Sequence, residues 1–271
     1  MKRISFQGER GAYSEAASIS FFGNEIDTIP CPTFADALKN TENDKSDYSV
    51  LPVENSLAGS VGESNDLLLS MKLNAVGEIY HRIHHCLIGN GSIDDVDTVY
   101  SHPQALGQCR RFIQENSLKT IPSYDTAGSV KIIKDLNKNN AACIASKNAA
   151  EIFDVPVIKE GIEDNVNNYT RFLVFSKESN DKTENDKTSI IFSIKHEAGA
   201  LAKIINEFYQ HKINLTKIES RPNKNTAWEY NFYVDFEGSQ DDSSIKDVLQ
   251  TLRDNTTFLK ILGSYPIAKL D

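Results

Sequence analysis

Thirteen consecutive residues, KESNDKTENDKTS at positions 177–189, carry no apolar side chain, and they separate two stretches with periodic apolar residues. A segment of that composition cannot bury itself and reads as exposed linker. The chain is therefore divided into an N-terminal region at 1–178, a linker at 179–189 and a C-terminal domain at 190–271. A length of 271 residues suits two domains, each with a core of its own.

In the C-terminal domain, Ile190, Phe192 and Ile194 alternate as one face of a strand, and Leu201, Ile204, Ile205 and Phe208 follow with helical spacing. INLTKIES is a second strand, and Tyr230, Phe232, Val234 and Phe236 mark a third. Ile245, Val248, Leu249 and Leu252 repeat the helical pattern before a short last strand near FLKIL. The order is βαββαβ, the ferredoxin-like arrangement.

The N-terminal region alternates short apolar runs with helices that start at small or polar residues. ISF leads into QGERGAYSEAA, YSVL into PVENSLAGS, TVY into SHPQALGQC, and ACIA into SKNAAEI. Strand, tight loop and helix in repetition predict an α/β region with a parallel sheet. Strand runs near Val76–Ile79 and Thr170–Phe175 suit two crossings between lobes, one of residues 1–76 plus 165–178 and one of 77–164.

Composition narrows the function. The formal charge is −9 and no basic run exceeds two residues, as at Arg110-Arg111, which argues against a nucleic-acid footprint. No apolar run approaches the roughly 18 residues of a membrane span, and MKRISFQGERG lacks a secretory apolar region. The four cysteines, Cys31, Cys86, Cys109 and Cys143, are scattered, as expected of a reduced cytoplasmic protein.

An acidic protein can still bind a small anion. In open α/β sheets ligands sit beyond the carboxyl ends of the strands, where first-turn N–H groups and helix dipoles point. Among those loops, SHPQ reads as a capping box in which Ser101 bonds the backbone at Gln104. GERG is not a nucleotide fingerprint. His81, His84, His85 and Cys86 in HRIHHC are metal-ligand types, but on a strand His84 and His85 face opposite ways, so no metal is expected. LPVENSLAGS places Glu54, Asn55 and Ser56 after a strand ending at Leu51, more polar groups than one helix cap needs, although Asx-turn bonding would account for Asn55 and Ser56. In NNYTRFLVF, Thr170 and Arg171 stand at the mouth of a buried strand, either as hydrogen-bonded structure or as part of a site.

Taken together, GERGAYSEAA, LPVENSLAGSV, SHPQALGQC, DTAGS, AACIAS and TRFLV resemble prephenate dehydratases and the related arogenate dehydratases. GAL at Gly199–Leu201 and NLTKIESRP at Asn214–Pro222 are similar to the effector signatures of ACT domains. The resemblance covers essentially the whole chain. It implies an α/β catalytic region of two lobes, resembling type II periplasmic binding proteins, followed by a ferredoxin-like ACT domain that binds phenylalanine. Some members carry a fused chorismate mutase, for which residues 1–271 leave no room. The implied reaction removes water and carbon dioxide from prephenate to give phenylpyruvate, with no metal or organic cofactor. Arogenate as substrate is the near alternative, and a non-catalytic amino-acid sensor is the alternative of another class.

The resemblance ties activity to Thr170. It implies Asn55, Ser56 and Arg171 as further catalytic residues, and Glu54, Ser101, Gln104, Thr126 and Ser14 as substrate contacts. On a regular strand Arg171 would face away from Thr170; because NVNNY has little strand propensity, the expectation is that the strand starts later and both reach the cleft. Gly199, Ala200, Leu201, Asn214, Leu215, Glu219, Ser220 and Arg221 are the implied effector residues, in a pocket across a dimer interface. A homodimer or homotetramer is expected.

Overall fold

The computed structural model describes residues 1–223 and 229–270. The chain divides into two compact units, Met1–Ser64 with Ile79–Phe172 and Asn65–Glu78 with Leu173–Asp271.

Two sheets carry the first unit. One contains β1 (Lys2–Gln7), β2 (Ile26–Cys31), β3 (Tyr48–Asn55), β5 (Asn74–Arg82) and β11 (Tyr169–Ser176) in the order β2-β1-β3-β11-β5, with the short β4 (Gly59–Ser60) paired to β3. Of that sheet's β5 and β11 the first unit holds residues 79–82 and 169–172. β1 runs parallel to β2 and β3, joined through α1 (Tyr13–Phe22) and α2 (Phe34–Glu42). The other sheet has the order β10-β6-β9-β7-β8, from β6 (Cys86–Gly89), β7 (Thr98–Ser101), β8 (Lys119–Pro122), β9 (Ala141–Ala145) and β10 (Val157–Glu160). β7 is parallel to β8 and β9, whereas β6 is antiparallel to β9 and β10, so the sheet is mixed rather than parallel throughout. Two apolar clusters cover its faces, one around Val130, Ile133 and Ala149, the other around Val99, Phe112 and Ile144.

Two boundaries differ from the sequence expectation. β5 belongs to the first sheet as far as Arg82, so the second sheet begins at Cys86 rather than near residue 77. β3 does not end at Leu51. It runs on to Asn55 and turns back as a hairpin, Glu54 opposite Ser60 and Asn55 opposite Gly59, before α3 (Gly62–Ser70) starts. Gly11, just before α1, packs against Ala149 of the helix Lys147–Phe153. Its φ is +87°, and a Cβ there would stand 2.6 Å from Ala149 Cα, so only glycine fits.

The second unit carries β12 (Asp186–Ser193), α8 (Ala200–Gln210), β13 (Leu215–Pro222), β14 (Tyr230–Glu237), α9 (Ser243–Asn255) and β15 (Phe258–Pro266). The antiparallel order β13-β14-β12-β15 is that of a ferredoxin-like βαββαβ domain. Ile190, Phe192, Ile204, Phe208, Val234, Phe236, Val248 and Leu252 form its core, on the faces that the periodicity predicts.

The linker is shorter than the sequence indicates. Asp186, Lys187, Thr188 and Ser189 are buried in β12. Each has a polar partner: Lys187 Nζ lies 2.7 Å and 3.0 Å from the Glu78 carboxylate oxygens, and the Thr188 hydroxyl donates to Gly238 O at 2.6 Å. The Thr183 N–H donates to Asp186, and Ser189 bonds Asp235 and Tyr265. The same unit holds the rest of α3. Lys260 Nζ donates to the carbonyls of Leu68 at 2.7 Å, Leu69 at 3.2 Å and Met71 at 2.6 Å, a cation on the negative end of the helix dipole. The Tyr233 hydroxyl donates to Asn65 O at 3.0 Å.

Candidate active site

A cavity of about 430 Å³ opens between the two sheets of the first unit. Gln7, Tyr13, Ser14, Phe34, Asn55 and Thr170 line it from the first sheet and its helices, and His102, Gln104, Gln108, Asp125 and Thr126 from the second. Several helix starts open onto it. α1 begins without a side-chain cap at Ala12, and Ser14 in its first turn faces the cavity. α2 begins at Thr33–Phe34, α4 (Pro103–Gln108) brings Gln104, and Thr126 and Ala127 precede α6 (Gly128–Leu136). No lysine or arginine lines the cavity among the described residues, and Glu63 and Asp125 are its carboxylates.

Thr170 is the second residue of β11, and alternation along the strand sends Thr170 and Phe172 into the cavity. Its hydroxyl accepts a hydrogen from Asn55 Nδ2 at 3.0 Å. The Asn55 amide is fixed from its other end, because Asn55 Oδ1 accepts the N–H groups of Leu57 at 3.0 Å and Ala58 at 2.9 Å. Its nitrogen must then point at β11, where it also reaches Asn168 Oδ1 at 2.8 Å and Tyr169 O at 3.1 Å. With Asn55 supplying the incoming hydrogen, the Thr170 hydroxyl keeps its own proton for a group in the cavity.

Ser56 does not line the cavity. Its hydroxyl donates to Asn167 O at 2.9 Å and accepts the Tyr169 N–H at 2.9 Å, while its own N–H donates to Tyr169 O at 2.8 Å. It holds the segment that delivers Thr170. Arg171 departs from the expectation. β11 already starts at Tyr169, so the alternation applies, and Arg171 is turned from the cavity and 6% exposed. Glu54 stands on the same opposite face of β3, with a carboxylate oxygen 4.0 Å from the Arg171 guanidinium. Ser101 is also corrected. Its buried hydroxyl donates to Ile144 O at 2.7 Å, and the cap of α4 is His102, whose Nδ1 accepts the Gln104 N–H at 3.2 Å. Gln104, Thr126 and Ser14 do line the cavity.

Sequence reasoning passed over Tyr13, His102, Gln108 and Tyr124. Gln108 had a signal, since it follows Gln104 by four residues and so shares its helical face. Tyr124, largely exposed, donates from its hydroxyl to Pro32 O at 3.0 Å across the cavity mouth. The histidines do not form a metal centre. His84 Nδ1 lies 2.9 Å from Glu163 Oε1, and His85 sits between Tyr13 and Gln108. Among the described residues no group of three or more His, Cys, Asp or Glu could hold a metal ion. Burial pushes the Glu163 carboxyl up, but the bonds it accepts from His85 N and His84 outweigh that and hold it below its ordinary range.

In the second unit, Gly199 and Leu201 line a cavity of about 260 Å³ with Lys195, His196, Tyr230 and Phe232. Gly199, at φ +82°, forms the start of α8. Asn214, Glu219, Ser220 and Arg221 lie on or just before the edge strand β13 and outside this cavity. Asn214 Nδ2 donates to Glu237 Oε1 at 3.0 Å, and Arg221 reaches Asp66 at 3.4 Å and Glu219 at 3.7 Å. Leu215 packs on the domain core, and Ala200 begins α8.

An α/β region with a cavity between its two sheets, followed in the chain by a ferredoxin-like βαββαβ domain, defines the class of protein. Residues 4–180 match the prephenate dehydratase family, residues 188–254 match the ACT domain, and the chain belongs to the prephenate dehydratase family, carbon–oxygen lyases. It is 40% identical over 271 residues to a bifunctional chorismate mutase/prephenate dehydratase of Aquifex aeolicus, covering 99% of this chain and 74% of that one. It is 41% identical over 278 residues to an arogenate dehydratase/prephenate dehydratase of Arabidopsis thaliana, covering 98% and 72%. Prephenate dehydratase of Arthrobacter aurescens, solved in complex with L-Phe, superposes with a TM-score of 0.90 at 28% identity, covering 98% and 90%. GqqA, described as a quorum-quenching acylase, superposes at 0.89 with 29% identity, covering 98% of each chain.

Proposed function

We propose that this chain dehydrates and decarboxylates prephenate to phenylpyruvate in the interlobe cavity, under control by phenylalanine at the ACT domain. The carrying observation is the Thr170 hydroxyl, which accepts from Asn55 Nδ2 at 3.0 Å and faces the cavity with its proton available.

Aromatisation drives the reaction, so the protein has to help the ring hydroxyl depart and hold the ring in place. A threonine hydroxyl is too weak an acid to protonate the leaving oxygen outright. It acts as an oriented donor whose bond strengthens as charge develops on that oxygen, contributing about 2–4 kcal/mol. Asn55 and Ser56 serve by fixing β11 and the hydroxyl. The pyruvyl carboxylate sits at the helix starts, with Ser14, Gln104 and Thr126 alongside. The ring carboxylate must lose its charge into the ring, and a tight ion pair would hold that charge back. A cavity without lysine or arginine suits this step. Arg171 and Glu54 act behind the sheet as structure.

Phenylalanine binds at the Gly199–Leu201 cavity, and the β13 residues Asn214, Glu219, Ser220 and Arg221 contribute from a second copy across a dimer or tetramer interface. The protein works in the cytoplasm. Thr170→Val, with Thr170→Ser as control, tests the chemistry through phenylpyruvate formation. Valine should lower kcat by about 10²–10³ and serine by far less, because serine restores the donor. Equal activity of valine and wild type would remove Thr170 from the mechanism. Light scattering with and without phenylalanine tests the assembly, and a monomer that still responds to phenylalanine would contradict the shared pocket.

A further inference from the structure

The N-cap of α1 is Ala12, whose side chain has no oxygen, and the N–H groups of Tyr13, Ser14 and Glu15 meet no acceptor among the described residues. The Ser14 hydroxyl has no partner among them either, although Ser14 is only 7% exposed and lines the cavity. What fixes this helix start is Glu15, which is 1% exposed and does not line the cavity. Its Oε2 accepts the Gly11 N–H at 2.6 Å. Its Oε1 accepts the Thr28 hydroxyl hydrogen at 2.6 Å and lies 2.7 Å from Arg10 Nε.

This is half of a capping box. In the full box a serine or threonine at the N-cap covers a first-turn N–H, while the glutamate accepts an N–H from before the helix. With alanine at the cap, the glutamate holds the loop and the first-turn donors stay uncovered. Gly11 is held from the other side as well: the Ser146 hydroxyl donates to Gly11 O at 2.8 Å, and Ala149 leaves no room for a Cβ. Glu15 brings one difficulty. A carboxylate in the first turn takes the positive helix end for itself and repels an anion bound there. Arg10 offsets that charge from an exposed position.

We propose that Glu15 is a positioning residue for substrate binding, pinning loop 8–12 so that Ser14 and the uncovered amides of α1 meet a substrate carboxylate, with Arg10 as the counter-charge that lets the anion approach. The inference rests on the cavity being the substrate site. Without Glu15 the loop loses its tie at Gly11 N and the first turn of α1 no longer has a fixed direction. Without Arg10 the loop stays in place, and the charge of Glu15 opposes the substrate.

Gly11 is the one glycine that follows an arginine, so NMR of the full chain with carbonyl-labelled arginine and nitrogen-15 glycine isolates its amide as a single signal. That amide should exchange slowly in the wild type and about tenfold faster or more in Glu15→Ala. Wild-type exchange as fast as that of an open loop would overturn the proposal. Kinetics give the second readout. Glu15→Ala should raise KM about tenfold, the worth of one hydrogen bond to a charged group, with kcat changed far less. Glu15→Gln, whose amide oxygen still accepts the Gly11 N–H, should stay within about threefold of wild type. A lower melting temperature in Glu15→Ala at unchanged KM would reduce Glu15 to a structural residue. Arg10→Ala should raise KM about threefold at low salt, less as salt is added, and should change nothing in the Glu15→Gln background. An equal rise in both backgrounds would overturn the counter-charge role. Failure of the unmodified protein to turn over either substrate would remove the substrate reading alone, and the Gly11 signal would still decide whether Glu15 holds the loop.

Discussion

Replacing Asn55 by aspartate tests how Thr170 is oriented. The native amide is surrounded by five partners: its oxygen accepts from Leu57 N and Ala58 N, and the two hydrogens of its nitrogen are shared among Asn168 Oδ1, Tyr169 O and Thr170 Oγ1. Asn55→Asp keeps the two accepted bonds and places an oxygen where the donor was, facing three other oxygens at 2.8–3.1 Å. The one movable proton nearby is that of Thr170, and it turns to the new carboxylate and away from the cavity. The substrate then loses its donor entirely, about 10²–10³ in kcat, or roughly 3–4 kcal/mol. Asn55→Ala removes the amide without capturing the Thr170 proton. Leu57 and Ala58 are exposed, so water can replace their lost bonds, and the activity loss should be nearer tenfold. The predicted order in kcat for phenylpyruvate formation is wild type, then alanine, then aspartate. Burial beside carbonyl oxygens also raises the pKa of the introduced acid. Its protonated form restores a donor, so the aspartate variant alone should recover activity as pH falls. An aspartate variant as active as the alanine one at pH 8, both folded, would refute the orientation argument.

Other tests address stability and reactivity. Lys187→Met breaks a pair in which both side chains are nearly sealed from solvent, and should cost about 3–5 kcal/mol in denaturant unfolding, with the double variant Lys187→Met/Glu78→Leu recovering much of it. Glu163 titrates below its ordinary range when folded, so its stabilisation is complete above the ordinary glutamate pKa and disappears as pH falls through the lowered value; Glu163→Gln should flatten that acid limb in a melting-temperature series. Burial pushes the Cys86 thiol up to about 11 and raises Cys31, Cys109 and Cys143 too, so all four should react slowly with a disulfide reagent at pH 8 until the protein is unfolded.

The sequence made the second unit legible because its core is periodic and local. Ile190, Phe192, Ile204 and Phe208 announce one strand and one helix by spacing alone, and the structure buries them. Position in a cavity was harder to read. Thr170 stood out as a polar group at the start of a buried strand, but its orientation depends on Asn55, 115 residues away. Arg171 was misjudged because strand propensity before it is low, whereas pairing with the hairpin after Asn55 fixes β11 from Tyr169 onward. Lys187 looked like linker because its compensating charge, Glu78, lies 109 residues away. Ser101 has the spacing of a capping box, yet an unmet carbonyl at Ile144 takes its hydroxyl. In each case a local rule lost to a partner distant in sequence.

The most direct test is turnover of the purified chain with prephenate and with arogenate, each with and without phenylalanine. Phenylpyruvate formed from prephenate, at a rate that phenylalanine changes, is the predicted result. No product from either substrate, from protein that is folded and binds phenylalanine, would contradict the assignment of the Thr170 cavity as a dehydratase site.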